Sequence, residues 1–313
     1  MKNRDELIYQ TALLYYQEMQ TQTEIAKQLQ ISRPTVATFL KEARNRKIVQ
    51  IHIAPQSASL LELSLQLMEK YNLQTAVITP QAQTDLQAKL NVGQELAEFI
   101  QHRAYSLSSI GIGWGTTLYE CVQAALPASY PHLTIVPLMG GANVEALHLH
   151  SNHLCFRLAE KFQAKASYYY APAIADTAYQ KQALLQSSFI KEAHKKALSV
   201  DLAIVSIGNP ALSSTYKQLG LVTEAEEADI LKHQVIGDAL ATFYDFKGDT
   251  VQTDLSNRMV GITLEELEMM KEIIILATGE GKAPSLFALL QKGCVDHIFI
   301  DEPVARFLLS QDY

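Results

Sequence analysis

The chain has 313 residues, 48% hydrophobic and 19% charged, with a formal net charge of −7, so it can bury a large core and divide into a small and a bigger domain, which excludes a disordered or fibrous protein. No apolar run approaches the roughly 20 residues of a membrane span, and Met1-Lys2-Asn3-Arg4-Asp5-Glu6 lacks the apolar centre of a secretory leader, so a cytoplasmic protein without membrane contact is expected. Cys121, Cys155 and Cys294 are far apart and form no C-x-x-C pair, which excludes a zinc site or a disulfide framework and leaves them as small buried hydrophobes.

Ile8, Ala12, Leu13 and Tyr16 place an apolar stripe on a first helix. From Thr21 to Lys41 the pattern predicts two short helices joined by a tight turn. Ile25, Ala26 and Leu29 share a face of the first, and small Ala26 sits where a second helix must cross closely. Ser32 starts the second: its hydroxyl can accept the backbone N–H of Thr35, and Pro34 is tolerated in the first turn. Val36, Phe39, Leu40 and Ala43 form its buried stripe, leaving Arg33, Thr35, Ala37, Thr38 and Lys41 outward as candidate DNA contacts. An ordinary helical hairpin in a core would share this pattern, but charge argues against it. Residues 1–54 hold 8 Lys/Arg against 5 Asp/Glu, a net of +3, leaving −10 for the rest of the chain. Phosphate would repel such an acidic protein unless its basic groups gathered at one end, as they do.

Beyond the basic cluster Arg44-Asn45-Arg46-Lys47, which suits phosphate contact or a plain helix end, Ile48–Ile53 alternates like a short strand or wing. Residues 54–59 have the composition of a hinge, so the domains are expected at 1–54 and 55–313. Helices from about Leu60 to Tyr71 and Leu86 to Arg103 then alternate with apolar runs at 76–78, 110–113, 133–138, 202–207, 273–277 and 297–300. That alternation predicts an α/β domain with a mainly parallel sheet, whose ligand site lies at the carboxyl ends of the strands.

Three glycine loops follow such runs. In Gly113-Trp114-Gly115-Thr116-Thr117, glycine lets backbone N–H groups approach an anion, two hydroxyls can donate, and a helix N-terminus adds partial positive charge, so a phosphate fits. A plain strand-to-helix turn fits equally. A dinucleotide fingerprint is not met, because Thr116 stands where the third glycine belongs. Met139-Gly140-Gly141-Ala142-Asn143 is the second loop, with a simple turn as its alternative. The third, Thr278-Gly279-Glu280-Gly281-Lys282, offers Lys282 to an anion or a sugar hydroxyl, or leaves it solvated; Leu276 and Ala283 exclude a Walker loop.

Elsewhere the patterns are expected to be structural. His148, His150 and His153 lack the further ligands of a metal site, so no metal is expected. Tyr168-Tyr169-Tyr170 suits a strand packed on both faces, and Leu184–Leu198 a single helix with Lys191, His194, Lys195 and Lys196 solvated. Thr263-Leu264-Glu265-Glu266 is a capping box, and Asp245–Asp249 a hairpin turn.

The motifs Ile31-Ser32-Arg33-Pro34-Thr35-Val36, Gly111–Thr117, Val136–Gly141, Tyr170-Ala171-Pro172, Ile236-Gly237-Asp238, Phe243–Gly248 and Ile300-Asp301-Glu302 resemble, in order and over essentially the whole chain, the SorC family of sugar-responsive bacterial transcription regulators. The resemblance implies an N-terminal helix-turn-helix domain and an α/β effector domain similar to sugar-phosphate isomerase and deaminase folds. It further implies operator DNA and a phosphorylated sugar effector as partners, a homotetramer, and no cofactor. Carried over, Gly115, Thr116 and Thr117 would hold the phosphate and Asp238 and Lys282 would contact the sugar end, with Gly141 a further candidate effector contact; the candidate DNA contacts are Thr23, Ser32, Arg33, Thr35, Thr38 and Lys41. Three departures stand out. Gln30 occupies the turn position where glycine is usual, Thr38 replaces a common arginine, and Met139 stands where relatives carry an imine-forming lysine or a phosphate-binding arginine. An enzyme remains the alternative, a sugar-phosphate isomerase or deaminase with Asp238 or Asp245 as base and Lys282 as electrophilic helper.

Overall fold

The computed structural model describes residues 4–16, 18, 20–46, 48, 49, 55–141, 149–210, 212 and 221–312, the first four residues of the 55–141 stretch by backbone alone. The chain divides into two compact units, Met1–Ser57 and Ala58–Tyr313.

The first unit holds helices α1 (Arg4–Tyr16), α2 (Gln22–Leu29) and α3 (Arg33–Asn45). The capping box of Thr21 with Glu24 starts α2, and the Ser32 hydroxyl, accepting the Thr35 N–H, starts α3. Ile8 and Ala12 pack against Phe39 and Ala43, while Leu14 packs against Ile25, Val36 and Leu40. The buried stripe of α1 therefore runs through Leu14; the expected Leu13 and Tyr16 are only half-buried. Gln30, at φ 57° and ψ 43°, takes up the left-handed turn between α2 and α3 that the sequence anticipates. Ile48 and Val49 form a bend whose N–H groups donate to the Ala43 carbonyl at 2.9 and 3.2 Å; the rest of the expected strand or wing lies outside the described residues.

Helix α4 (Pro55–Tyr71) starts in the last residues of the first unit and leads to β1 (Thr75–Thr79) of the second, so residues expected as a hinge are helical from Pro55 onward. Next come α5 (Asp85–Arg103), β2 (Ser109–Ile112), α6 (Thr116–Ala124), β3 (Thr134–Pro137), α7 (Ser151–Lys161) and β4 (Lys165–Ala166). After α8 (Ala178–Gln186) and α9 (Ser188–Leu198), the chain forms β5 (Leu202–Gly208) and α10 (Glu224–Lys232). A small antiparallel extension follows: β6 (Gly237–Ala239), β7 (Thr242–Tyr244) and β8 (Thr250–Val251). The chain ends with α11 (Leu264–Leu267), β9 (Ile273–Ala277), α12 (Ala283–Leu290), β10 (His297–Asp301) and α13 (Glu302–Ser310).

The main sheet runs β1-β10-β9-β5-β2-β3-β4, every neighbour parallel, with β6 antiparallel against the end of β5. Its strands are apolar on both sides because both faces are covered. Ile78, Val136, Val205, Ile275 and Ile300 face α4, α12 and α13 through Leu67, Leu286, Val304 and Leu308. Ile110, Ile135, Ile204, Leu276 and Phe299 face α5, α6 and α7 through Leu96, Cys121, Cys155 and Leu158. Cys121 and Cys155 are thus the buried hydrophobes expected, and Cys294 is half-buried.

Two further expectations need correction. Tyr168–Tyr170 form no strand, because Asn152 binds the Tyr169 backbone at both ends, its Oδ1 accepting the N–H at 2.8 Å and its Nδ2 donating to the carbonyl at 3.0 Å. Leu184–Leu198 is two helices, broken at extended Ser187 (φ −60°, ψ 131°). His194 is consequently half-buried rather than solvated, bonded to the Tyr169 hydroxyl at 2.9 Å and to Glu266 at 2.8 Å.

At the amino edge of the sheet, Arg103 donates to both oxygens of Glu272 at 2.8 and 2.9 Å, and His297 reaches one of them at 2.6 Å. Burial pushes the Glu272 carboxyl up, but these partners outweigh it and hold the group below its ordinary 4.5. A depressed carboxyl stabilises the fold above its ordinary pKa, and that contribution is lost as pH falls through the folded value. Denaturant midpoints measured from neutral pH downward should therefore fall below pH 4.5, and Glu272→Gln should make the fall shallower. In the first unit, Gln30→Gly should relieve the left-handed strain and raise unfolding stability by about 1 kcal/mol, measured by chemical denaturation.

Candidate functional site

On the first unit, the outward side of α3 carries exposed Ser32, Arg33, Thr38 and Lys41, with Thr35 half-buried. The buried stripe Val36, Phe39, Leu40 and Ala43 is as the sequence predicts and orients that side. Thr23 and Arg33 come together with Tyr15, Tyr16 and Thr21 along one groove of about 550 Å³. The hydroxyls have local partners: Ser32 Oγ lies 2.7 Å from Thr35 Oγ1, and Thr38 Oγ1 donates to the Pro34 carbonyl at 3.0 Å. Positive charge on this face therefore rests on Arg33 and Lys41. Arg46, in the expected basic cluster, is held by Asp5 at 2.7 Å and by Glu42 at 2.5 Å, so it ties α1 to α3. Arg44 is exposed, and Lys47 lies outside the described residues.

On the second unit, the three glycine loops leave β2, β3 and β9 at the same edge, because those strands are parallel. Gly115 caps α6 at φ 126° and ψ 165°, a conformation open essentially to glycine alone. It brings no side-chain oxygen to the helix start. The first helical bond runs from the Tyr119 N–H to the Gly115 carbonyl at 3.0 Å, so the amides of Thr116, Thr117 and Leu118 stand outside the helical ladder. Thr117 is fully buried, its Oγ1 3.5 Å from Thr278 Oγ1 in the third loop. The first and third loops thus meet through Thr117 and Thr278.

In the second loop, the Gly141 N–H donates to the Ala171 carbonyl at 2.9 Å and its carbonyl accepts from Ala173 at 2.6 Å. Gly141 therefore shapes a wall beside Asn152 and does not offer its amide to an anion. Ala142 and Asn143 lie outside the described residues, as does His148. Met139 is fully buried against Gly261, within an apolar cluster that includes Trp114.

Asp238 sits on β6 opposite Gly208, where a Cβ would come within 2.4 Å of Asp238 Oδ1, so glycine is what admits the carboxylate. Asp238 is 4% exposed. Burial pushes the half-buried Lys282 below its usual pKa, and Lys89 adds to this, while Asp238, Asp85 and Asp301 pull the other way. Asp301 Oδ2 accepts the Gly279 N–H at 2.9 Å, and Asn209 Nδ2 donates to the Gly281 carbonyl at 3.3 Å, clipping the third loop at two points. Burial raises the Asp301 carboxyl, against its backbone hydrogen bonds and Lys282.

Lys89, Asn209 and the loop-holding role of Asp301 are not apparent from sequence patterns. Asp301 could have been found as the polar residue closing an apolar strand run, and Asn209 as the residue following Gly208; Lys89 carries no such mark. The second candidate base, Asp245, holds the β7–β8 turn through the N–H groups of Lys247 and Asp249 at 2.8 and 3.0 Å. His150 is buried and His153 exposed, and no group of three or more metal-ligating side chains occurs among the described residues. No helix among those residues is long and apolar enough to cross a membrane.

Residues 56–310 match the family model of a sugar-binding domain, Sugar-bind. The chain is 28% identical over 310 residues to the deoxyribonucleoside regulator of Bacillus subtilis, covering 99% of each chain. It is 29% identical over 316 residues to the sorbitol operon regulator of Klebsiella pneumoniae, covering 99% of this chain and 100% of that one. The crystal structure of full-length SorC from Klebsiella pneumoniae matches with a TM-score of 0.78 and 27% identity over 99% of this chain and 100% of that one. A DeoR family transcriptional regulator from Listeria monocytogenes matches with a TM-score of 0.75 and 28% identity, covering 80% of this chain and 99% of that one.

The Gly115 conformation gives a direct test of the first loop. An added Cβ would stand 3.3 Å from Ser206, in addition to the backbone strain. Gly115→Ala should destabilise the fold by about 1–3 kcal/mol, measured by denaturant unfolding.

Proposed function

Because this chain belongs to the sugar-binding domain family of SorC-type transcription regulators, we propose that it controls its operon in answer to a phosphorylated sugar bound at the carboxyl edge of the sheet. It is a DNA-binding regulator of carbohydrate utilisation, and its relatives carry the names of regulators, not of enzymes. In this reading Arg33 and Lys41 supply the phosphate contacts on DNA, and Thr23, Ser32, Thr35 and Thr38 lie along the same face. A side chain already bonded within the helix must turn to read a base, so Thr38 gives up its bond to Pro34 if it contacts one.

The observation that carries the effector assignment is the N-terminus of α6. Its amides lie outside the helical ladder, its cap is a glycine without a competing side-chain oxygen, and the loop beside it, joined through Thr117 and Thr278, presents Lys282. Such a terminus attracts an anion through its N–H groups and dipole together. Gly115, Thr116 and Thr117 hold the phosphate, Gly141 walls the site, and Asp238 with Lys282 meets the sugar end. Met139, a buried thioether, neither forms an imine nor binds a second phosphate. A helix-turn-helix reading a palindrome needs at least a dimer; the family resemblance implies a homotetramer, and the protein acts in the cytoplasm.

Effector binding needs only a differential affinity for two arrangements, about 1–3 kcal/mol, to change DNA binding. Two measurements test the reading. In a gel shift with its own promoter region, the protein should bind at modest salt, and Arg33→Ala should weaken binding and lower the log-salt slope by about one. In a thermal-shift screen of phosphorylated hexoses, pentoses and polyols, a true effector at about 100 times its Kd should add about 2.7 kcal/mol. Absence of any DNA shift, or turnover of a sugar phosphate seen by NMR, would overturn it.

A further inference from the structure

Two buried acceptors at the carboxyl edge lack a donor. Asn209 and Asp301 are 5% and 3% exposed, and each uses one side-chain atom to clip the third glycine loop. The other atom of each, Asn209 Oδ1 and Asp301 Oδ1, is buried without a hydrogen bond of ordinary geometry, although the backbone N–H groups of Val304 and of Asp301 itself also act on the Asp301 carboxylate. Thr79, which pairs in register with Asp301 on the neighbouring strand, is 3% exposed, and its Oγ1 is likewise buried and unpartnered. In-register neighbours on parallel strands present their side chains to the same side of the sheet, so Thr79 and Asp301 stand together.

The chemistry of these atoms restricts what completes them. With Nδ2 committed to the Gly281 carbonyl and Oδ2 to the Gly279 N–H, neither side chain can rotate without breaking the bond that holds the loop. A buried acceptor without a donor is destabilising, so each of these calls for a donor from outside the chain, a water or a ligand hydroxyl that takes its place. An amide or carboxylate oxygen accepts and does not donate, so the missing group is an O–H or N–H. A phosphate has the wrong character here: its oxygens are acceptors, and Asp301 repels it.

We propose that Asn209 and Asp301, with Thr79 beside them, form a hydroxyl-reading subsite that turns the non-phosphorylated carbons of the ligand away from α6. The inference rests on the phosphorylated-effector reading above and deepens it. The ligand class becomes a sugar or sugar alcohol phosphate with free hydroxyls at the end remote from its phosphate, and a deoxy counterpart binds poorly because it leaves an acceptor unmet.

The test uses the full chain and isothermal titration. The probes are ribose 5-phosphate, glucose 6-phosphate and sorbitol 6-phosphate, each beside analogues lacking one hydroxyl, with inorganic phosphate as the minimal anion. For the probe that binds tightest, at least one single-hydroxyl deletion should weaken binding about tenfold or more, and Asp301→Asn should do the same while leaving inorganic phosphate within about twofold. Asp301→Asn keeps the side-chain shape, and its circular dichroism and melting curve establish that it folds. Should it unfold, the wild-type comparison of each probe with its deoxy analogues decides alone. Binding that tolerates every single-hydroxyl deletion, or a folded Asp301→Asn with unchanged sugar phosphate affinity, overturns the subsite and leaves the phosphorylated-effector reading standing. If no phosphorylated probe binds, that reading falls and the subsite falls with it.

Discussion

Parallel pairing of the strands is the constraint on which the candidate site depends. β1, β10, β9, β5, β2 and β3 all run the same way, so each ends at one edge, and Thr79, Asp301, Thr278, Asn209, Gly115 and Gly141 are delivered there from distant parts of the chain. Helices bury both faces of the sheet, and an apolar strand interior has no place for an uncompensated polar group. Strand ends are different, because loop N–H groups and helix starts lie close by. The register of neighbouring strands then decides which residues stand side by side: Thr79 opposite Asp301, Asp238 opposite Gly208.

Charge at this edge is divided. The α6 start presents backbone N–H groups with no cap oxygen in the way, which favours an anion. Asp238 and Asp301 lie within the field of Lys282, whose burial alone would favour the neutral amine. The combination of an anion-favouring helix start with carboxylates beyond it suits a ligand with a charged end and a hydroxyl-bearing end. A ligand charged at both ends would meet repulsion at one of them, and the thioether of Met139 offers no relief.

The first unit is built on a different principle, that of local caps with a small shared core. Thr21 with Glu24 starts α2, Ser32 starts α3, and left-handed Gln30 makes the turn between them. Two short apolar clusters then set the rotation of α3, so that Arg33 and Lys41 face outward. Arg46, Glu42, Arg4 and Asp5 link the end of α3 to the start of α1, so one cation of the basic cluster is engaged within the unit itself.

The helix-turn-helix was legible in the chain because its determinants lie within a few residues of one another: a cap bonds three positions on, and an apolar stripe repeats every three or four. The strand runs at 76–78, 110–113, 133–138, 202–207, 273–277 and 297–300 were legible too, since burial on both faces demands continuous apolar segments, and the three glycine loops followed from them. Tyr168–Tyr170 misled, because alternation cannot reveal that Asn152 takes the backbone bonds a strand would need. His194 looked solvated because Tyr169 and Glu266 lie 25 and 72 positions away in the chain. Thus the sequence by itself determined the two-part plan, the outward face of α3 and the glycine loops as the ends of strands. Only the tertiary structure decided that Asn209 and Asp301 grip the third loop while each keeps one acceptor unmet, since strand order and register arise from pairing between distant segments that no local pattern encodes.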